Sequence, residues 1–144
     1  MSQSSSVRLG ITLVVIAACA AIYYYAIAKP QFQQQQQMAY QSQAEMCAGQ
    51  AAAFIENRGL SGGLSTYQNH FNTKVNKCFI LVRDNTVSVE ERSEYLFDAL
   101  ERKQYGDYLA DYTNGEHVTT CWVQDEQCSA YVEFQKLVAS YISD

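Results

Sequence analysis

Four cysteines, Cys47, Cys78, Cys121 and Cys128, and two histidines, His70 and His117, are the residues best suited to chemistry in this chain. A thiolate beside an imidazole base would make a covalent nucleophile. Cys78 and Cys121, however, lie inside apolar runs, CFILV and TTCWV, where cysteines are buried or bridged and inert. No C-x-x-C is present to support thiol exchange. Zinc is the next chemistry. Six residues separate Cys121 from Cys128, beyond the spacing of a zinc knuckle, so a set of Cys78, His117, Cys121 and Cys128 would have to be assembled by the fold. Two disulfides account for the same residues more simply. An even number of cysteines in a small domain behind an export-type segment points to an oxidising compartment. Cys47–Cys78 with Cys121–Cys128 is the expected pairing, because the second pair is close enough in sequence to face across a hairpin. On this reading no catalytic residue, metal ligand or cofactor is assigned. A thiol- or metal-dependent enzyme using Cys121, Cys128, His70 or His117 is the alternative.

The densest polar cluster is Asn69, His70, Asn72 and Lys74. It reads either as a small recognition surface beside the Gly62-Gly63 loop or as asparagines capping a turn ahead of a strand. Glu90, Glu91 and Glu94 lack the spacing of a calcium loop and read as a solvated face. Of the eleven tyrosines three lie in the apolar segment; those at alternating strand positions read as half-buried core, with an exposed aromatic patch for a partner or glycan as the other reading. No phosphate-binding glycine loop or serine-triad motif occurs. From Pro30 onward eight Lys/Arg stand against fifteen Asp/Glu, a net charge of −7. Taken as a whole, that balance repels nucleic-acid phosphates and anionic headgroups, so no nucleic-acid role is expected.

Residues 9–28, LGITLVVIAACAAIYYYAIA, carry no charge. As a helix they cover roughly 30 Å, the thickness of a bilayer's hydrocarbon core. Three fates compete for this segment. It is a transmembrane anchor by length, with Tyr23, Tyr24 and Tyr25 as an interfacial belt. It is a cleaved signal by Ala26-Ile27-Ala28, which satisfies the small-x-small rule. It is a lipoprotein signal by Ile16-Ala17-Ala18-Cys19, with Cys19 as the acylated residue, although residues 20–28 stay apolar where a lipoprotein turns polar. The anchor reading is preferred. Ala17, Ala18, Ala20 and Ala21 would also permit close helix contact in an assembly. Arg8 and Lys29 nearly balance, so the cysteines decide the orientation: single-pass in the inner membrane, C-terminal domain in the periplasm, with export after cleavage or lipidation as alternatives.

The elements behind the span follow from pattern. Lys29-Pro30 ends it, and residues 31–37, a glutamine tract broken by Phe32, read as a spacer or the solvated start of a helix. Residues 38–58 form a helix with Cys47, Ala51, Phe54 and Ile55 inward and Gly59 as its left-handed cap. Residues 60–65, LSGGLS, form a loop. Cys78 to Val82 is a central strand, apolar on both faces. Residues 88–110 are ambiguous. Ser88-Val89-Glu90-Glu91 matches a capping box, yet Tyr95, Phe97 and Ala99 alternate along a strand with Tyr105, Tyr108 and Tyr112 available opposite, across a turn at Glu101-Arg102-Lys103. Residues 113–116 form a turn around Asn114-Gly115, His117 to Val123 a strand and residues 124–127 a polar turn. Ser129 is the expected N-cap of a closing helix over residues 130–142, with Phe134, Leu137, Val138 and Tyr141 inward.

The soluble part resembles a group of uncharacterised exported and membrane-anchored bacterial proteins. The likeness runs through Tyr67-Gln68-Asn69-His70-Phe71-Asn72 with Lys74, then Asn76-Lys77-Cys78-Phe79, Leu96-Phe97-Asp98-Ala99 with Glu101, Tyr105-Gly106, Cys121, Cys128 and Glu133-Phe134. It covers most of residues 45–142. The resemblance implies a Glu-Gly turn where this chain has Glu101-Arg102, and so a hairpin over 88–110. It also implies the cysteine pairing and a single domain, and it carries no activity. The expectation is therefore a polar N-terminus (1–8), a membrane segment (9–28), a Gln-rich linker (29–37) and a disulfide-stapled α+β domain (38–144). That domain should hold a helix, about four antiparallel strands and a closing helix, and act as a non-enzymatic binding module for an envelope protein or component.

Overall fold

The computed structural model describes residues 3–60, 65–84 and 90–143, with side chains from residue 13. The chain divides into two compact units, Met1–Ser42 and Gln43–Asp144. Of the sequence expectations, the Gly62-Gly63 loop and Ser88 and Val89 of the capping box lie outside the described residues.

The first unit is helical. Helix α1 (Gln3–Tyr23) runs into a π-helical turn, Tyr24–Ala28, and then into helix α2 (Lys29–Asn57), whose first residues belong to this unit. The Lys29 N–H reaches back to the Tyr24 carbonyl, five residues away. Pro30 explains the widening. It has no N–H to offer, and its ring crowds the carbonyl four residues earlier, which a π turn accommodates. Leu13, Val14 and Ile22 are exposed by 61%, 69% and 67%, so no protein core covers this apolar helix. Among the described residues it is the one helix long and apolar enough to cross a membrane. Lys29 and Pro30 do not end the helix, and residues 31–37 are helical and exposed: the glutamine tract is the solvated start of a helix and not a spacer, so the helix expected from residue 38 begins earlier. Glutamine is a good helix former, and extending an existing helix avoids the cost of nucleation.

The second unit is a six-stranded antiparallel meander in the order β1 (Thr66–Asn72), β2 (Lys77–Asp84), β3 (Glu91–Asp98), β4 (Gln104–Asp111), β5 (His117–Val123), β6 (Glu126–Gln127). Helix α3 (Tyr131–Ile142) covers one face and residues 43–57 of α2 part of the other. The fold class is α+β, with six strands where about four were expected. β1, TYQNHFN, is mostly polar and carries no strand pattern of its own. It forms because all seven residues pair with β2, Thr66 opposite Arg83 through Asn72 opposite Lys77. β6 is two residues of what read as a polar turn.

β2 is covered on both faces, as its apolar run requires. Phe79 and Leu81 pack with Phe134 and Val138 of α3, while Cys78, Ile80 and Val82 pack with Cys47, Ala51, Phe54 and Ile55 of α2. Residues 91–111 form a hairpin, not a helix. Leu96 and Phe97 are both buried, on opposite faces. A register shift between them bulges the partner strand, bringing Tyr105 and Tyr108, three apart, into the same core. Gly59 (φ 69°) caps α2, with the Leu60 N–H bonded to the Ile55 carbonyl at 3.1 Å. Ser129 does not cap α3 through its hydroxyl. Ala130 holds the cap position, and Glu133 reaches back to accept from the Ser129 N–H (2.8 Å) and hydroxyl (3.0 Å).

Candidate functional site

The structure joins Cys47 to Cys78, Cα atoms 5.3 Å apart, and Cys121 to Cys128, 5.0 Å apart. The first bridge ties α2 to β2 deep in the core, where the two residues are 1% and 5% exposed. The second clips β5 to the segment entering α3, beside a hydrogen bond from the Cys128 N–H to the Cys121 carbonyl. With all four sulfurs bridged, none is a thiolate for attack or for zinc. His70 sits on β1 and His117 at the start of β5, four strand spacings or about 19 Å apart across the sheet. Among the described residues no three His, Cys, Asp or Glu side chains converge to hold a metal. Cys19 is a free, exposed cysteine on α1.

The cluster expected at residues 69–74 is divided by the strand's two-residue period. Asn69, opposite Ile80, faces α2, its amide 3.8 Å from Cys47 Sγ; His70, opposite Phe79, faces α3. Asn72 is buried and structural. Its amide donates to the carbonyls of Ser140 (2.9 Å) and Tyr141 (3.3 Å), and its oxygen accepts from the Lys74 and Val75 N–H groups. Lys74 is exposed in the turn. These four residues do not form one surface.

Several tyrosines belong to a closed network that fixes the start of α3. Glu116 accepts from Tyr108 Oη (2.6 Å) and the Tyr131 N–H (2.7 Å), and Tyr108 Oη lies 2.8 Å from Tyr112 Oη. These bonds, the Tyr108 hydroxyl foremost, hold the Glu116 carboxyl below its usual range. Burial first, then Glu116, pushes the Tyr108 hydroxyl upward. Glu94, expected on a solvated face, is 1% exposed and accepts from Arg83 Nε (3.1 Å), Tyr131 Oη (2.8 Å) and Gln135 Nε2 (2.8 Å). The Arg92 guanidinium stacks 4.3 Å from the Tyr131 ring centre. Every polar atom named has a partner within the fold, so the network positions α3.

An open site lies at the other end of the sheet. A cleft of about 300 Å³ is bounded by residues 43–50 of α2 and by the β1–β2 and β3–β4 turns, with Cys47–Cys78 among its walls. Phe71, Met46, Val75 and Leu100 line it with apolar surface. On its polar side Lys77 Nζ bonds Glu101 (2.7 Å), Asp98 (2.9 Å) and Tyr105 Oη (2.9 Å). Those partners, Glu101 first, keep the ammonium protonated far above its ordinary range. Asp98 Oδ1 accepts from the Leu100 and Glu101 N–H groups, both at 2.9 Å, so the β3–β4 turn is fixed with Leu100 outward. The cleft offers apolar contact and hydrogen bonds at its margin, an arrangement suited to binding. Its residues come from three separate stretches, 43–50, 71–78 and 98–101. The one local sign in the sequence was a leucine in an otherwise polar turn, D-A-L-E-R-K.

No protein-family model, curated protein or solved structure matches this chain. The arrangement of its own residues therefore carries the functional argument.

Proposed function

We propose that the chain is a membrane-tethered, non-enzymatic binding module, held by residues 9–28 with its disulfide-stapled domain in the periplasm. The observation that carries this reading is the pairing of all four cysteines outside the apolar helix, which belongs to an oxidising compartment. The exposed apolar surface of α1, with no core to bury it, supports insertion in a bilayer. The module's ligand or partner is an envelope component that meets the cleft beside Cys47–Cys78.

The test is alkylation of denatured whole-cell protein with a mass-tagged maleimide, with and without prior reduction. Reaction of Cys47, Cys78, Cys121 and Cys128 only after reduction supports the reading. Reaction of two or more of them without reduction overturns the compartment and returns thiol or metal chemistry to first place.

A further inference from the structure

In a meander the β1–β2 and β3–β4 turns fall at the same end of the sheet, and here both border the cleft. Each presents an apolar side chain to solvent. Val75 is 52% exposed and Leu100 70%, with Met46 at 57% beside them. Single exposed apolar residues are ordinary, but three around one cleft form a patch. Cations flank it. Lys74 precedes Val75, and Arg102 and Lys103 follow Leu100; among the described residues none of the three makes an ion pair. Of the acids nearby, Asp98 and Glu101 are committed to Lys77, and exposed Glu45 precedes Met46 on α2. Of the eight Lys/Arg from Pro30 onward, three lie in these two turns. Arg102 adopts φ 55°, a left-handed conformation that glycine takes without strain, so the turn keeps a cation at a cost in stability.

The net charge of −7 does not cancel this local sign. Asp111 ends β4, and Glu90 and Glu116 lie just outside the strands at the same end, about 25 Å away along eight residues. Charges farther apart than about 8 Å are largely screened at physiological salt. The β5–β6 turn at the near end is acidic, with Asp125 and Glu126, which restricts the basic surface to the side of β1 to β4.

We propose that the two hairpin tips form a foot that docks on an anionic bilayer surface, Val75 and Leu100 entering the headgroup layer while Lys74, Arg102 and Lys103 meet lipid phosphates. The proposal rests on the tethered reading above, since a chain with its own span keeps this domain at high effective concentration near a bilayer. Each cation near such a surface is worth about a fivefold change in the docking equilibrium constant.

The full chain in nanodiscs tests this, with a gadolinium-chelate headgroup lipid and the methyl signals of Val75, Leu100 and Leu81 followed in zwitterionic and in phosphatidylglycerol-containing discs. Docking broadens Val75 and Leu100 relative to core Leu81 in the anionic discs, and Arg102→Gln and Lys103→Gln each reduce the docked-to-undocked ratio about fivefold. Val75 and Leu100 methyls as sharp in anionic discs as in zwitterionic ones would overturn the foot and leave the tips to an acidic protein. Protection of the backbone amides of residues 13–28 from exchange, read in the same sample, separates the two ideas. Protected amides with sharp tip methyls refute only the foot, whereas unprotected amides refute the tether and the foot with it.

Discussion

Replacing Cys47 and Cys78 together by alanine should be the most damaging cysteine change. The bridge closes a loop of sequence separation 31, against 7 for Cys121–Cys128. In the chain-entropy account these loops correspond to about 3.7 and about 2.4 kcal/mol. A domain near 100 residues holds only about 5–15 kcal/mol in all, so the first loss is a large share of it. Both residues are buried, and alanine is close to cysteine in size, so little cavity cost is added. The assay is thermal and urea unfolding of the full chain in micelles, wild type against C47A/C78A and C121A/C128A. The expected drop in Tm is roughly 15–30 °C for the first pair and about two thirds of that for the second. The urea m-value should rise in both, because an uncrosslinked unfolded chain exposes more surface. Equal losses, or a larger loss from C121A/C128A, would refute the loop-length reasoning. Losses below about 1 kcal/mol in both would show that the bridges do not constrain the unfolded chain.

Glu94→Ala should destabilise the domain by about 2–3 kcal/mol in urea titration, less than a fully buried pair would lose, because the Arg83 side chain is 45% exposed and can rehydrate. Gly59→Ala meets no neighbour within 4 Å, so its cost should be the conformational one of φ 69°, about 1 kcal/mol. Arg102→Gly should do the reverse and raise stability by up to about 1 kcal/mol while weakening lipid contact, read by Tm and by nanodisc broadening. The Glu116 carboxyl is held below its ordinary value of 4.5, so it adds stability that is present above that value and lost as pH falls through its lower folded value. Glu116→Gln should flatten the acid limb of the stability–pH curve, and an unchanged limb would exclude Glu116 as a contributor.

What could be read from the chain was contiguous. CFILV announced a buried strand, and Phe134, Leu137, Val138 and Tyr141 announced a helix face, because each pattern depends on neighbours a few residues away. Residues 88–110 resisted a local reading. Both faces of β3 are buried, one against each helix, so the strand lacks the polar-out alternation of a half-exposed sheet. β1 was illegible for the opposite reason: its polar side chains take their meaning from Cys47, Ser140 and Tyr141, which lie far off in sequence. The cleft shared that fate, assembled from one helix and two turns. Glu94 read as a surface acid because its three donors, Arg83, Tyr131 and Gln135, come from two other elements.

Each bridge joins a cysteine to the next one along the soluble chain, Cys47 to Cys78 and Cys121 to Cys128. A polypeptide delivered N-terminus first to an oxidant meets its cysteines in that order. Each thiol, capped as a mixed disulfide on emergence, is resolved by the next thiol to arrive, which is its native partner. If the domain is exported as proposed, stepwise oxidation during translocation would yield the native connectivity directly, and loss of a disulfide isomerase should leave the yield of this domain unchanged.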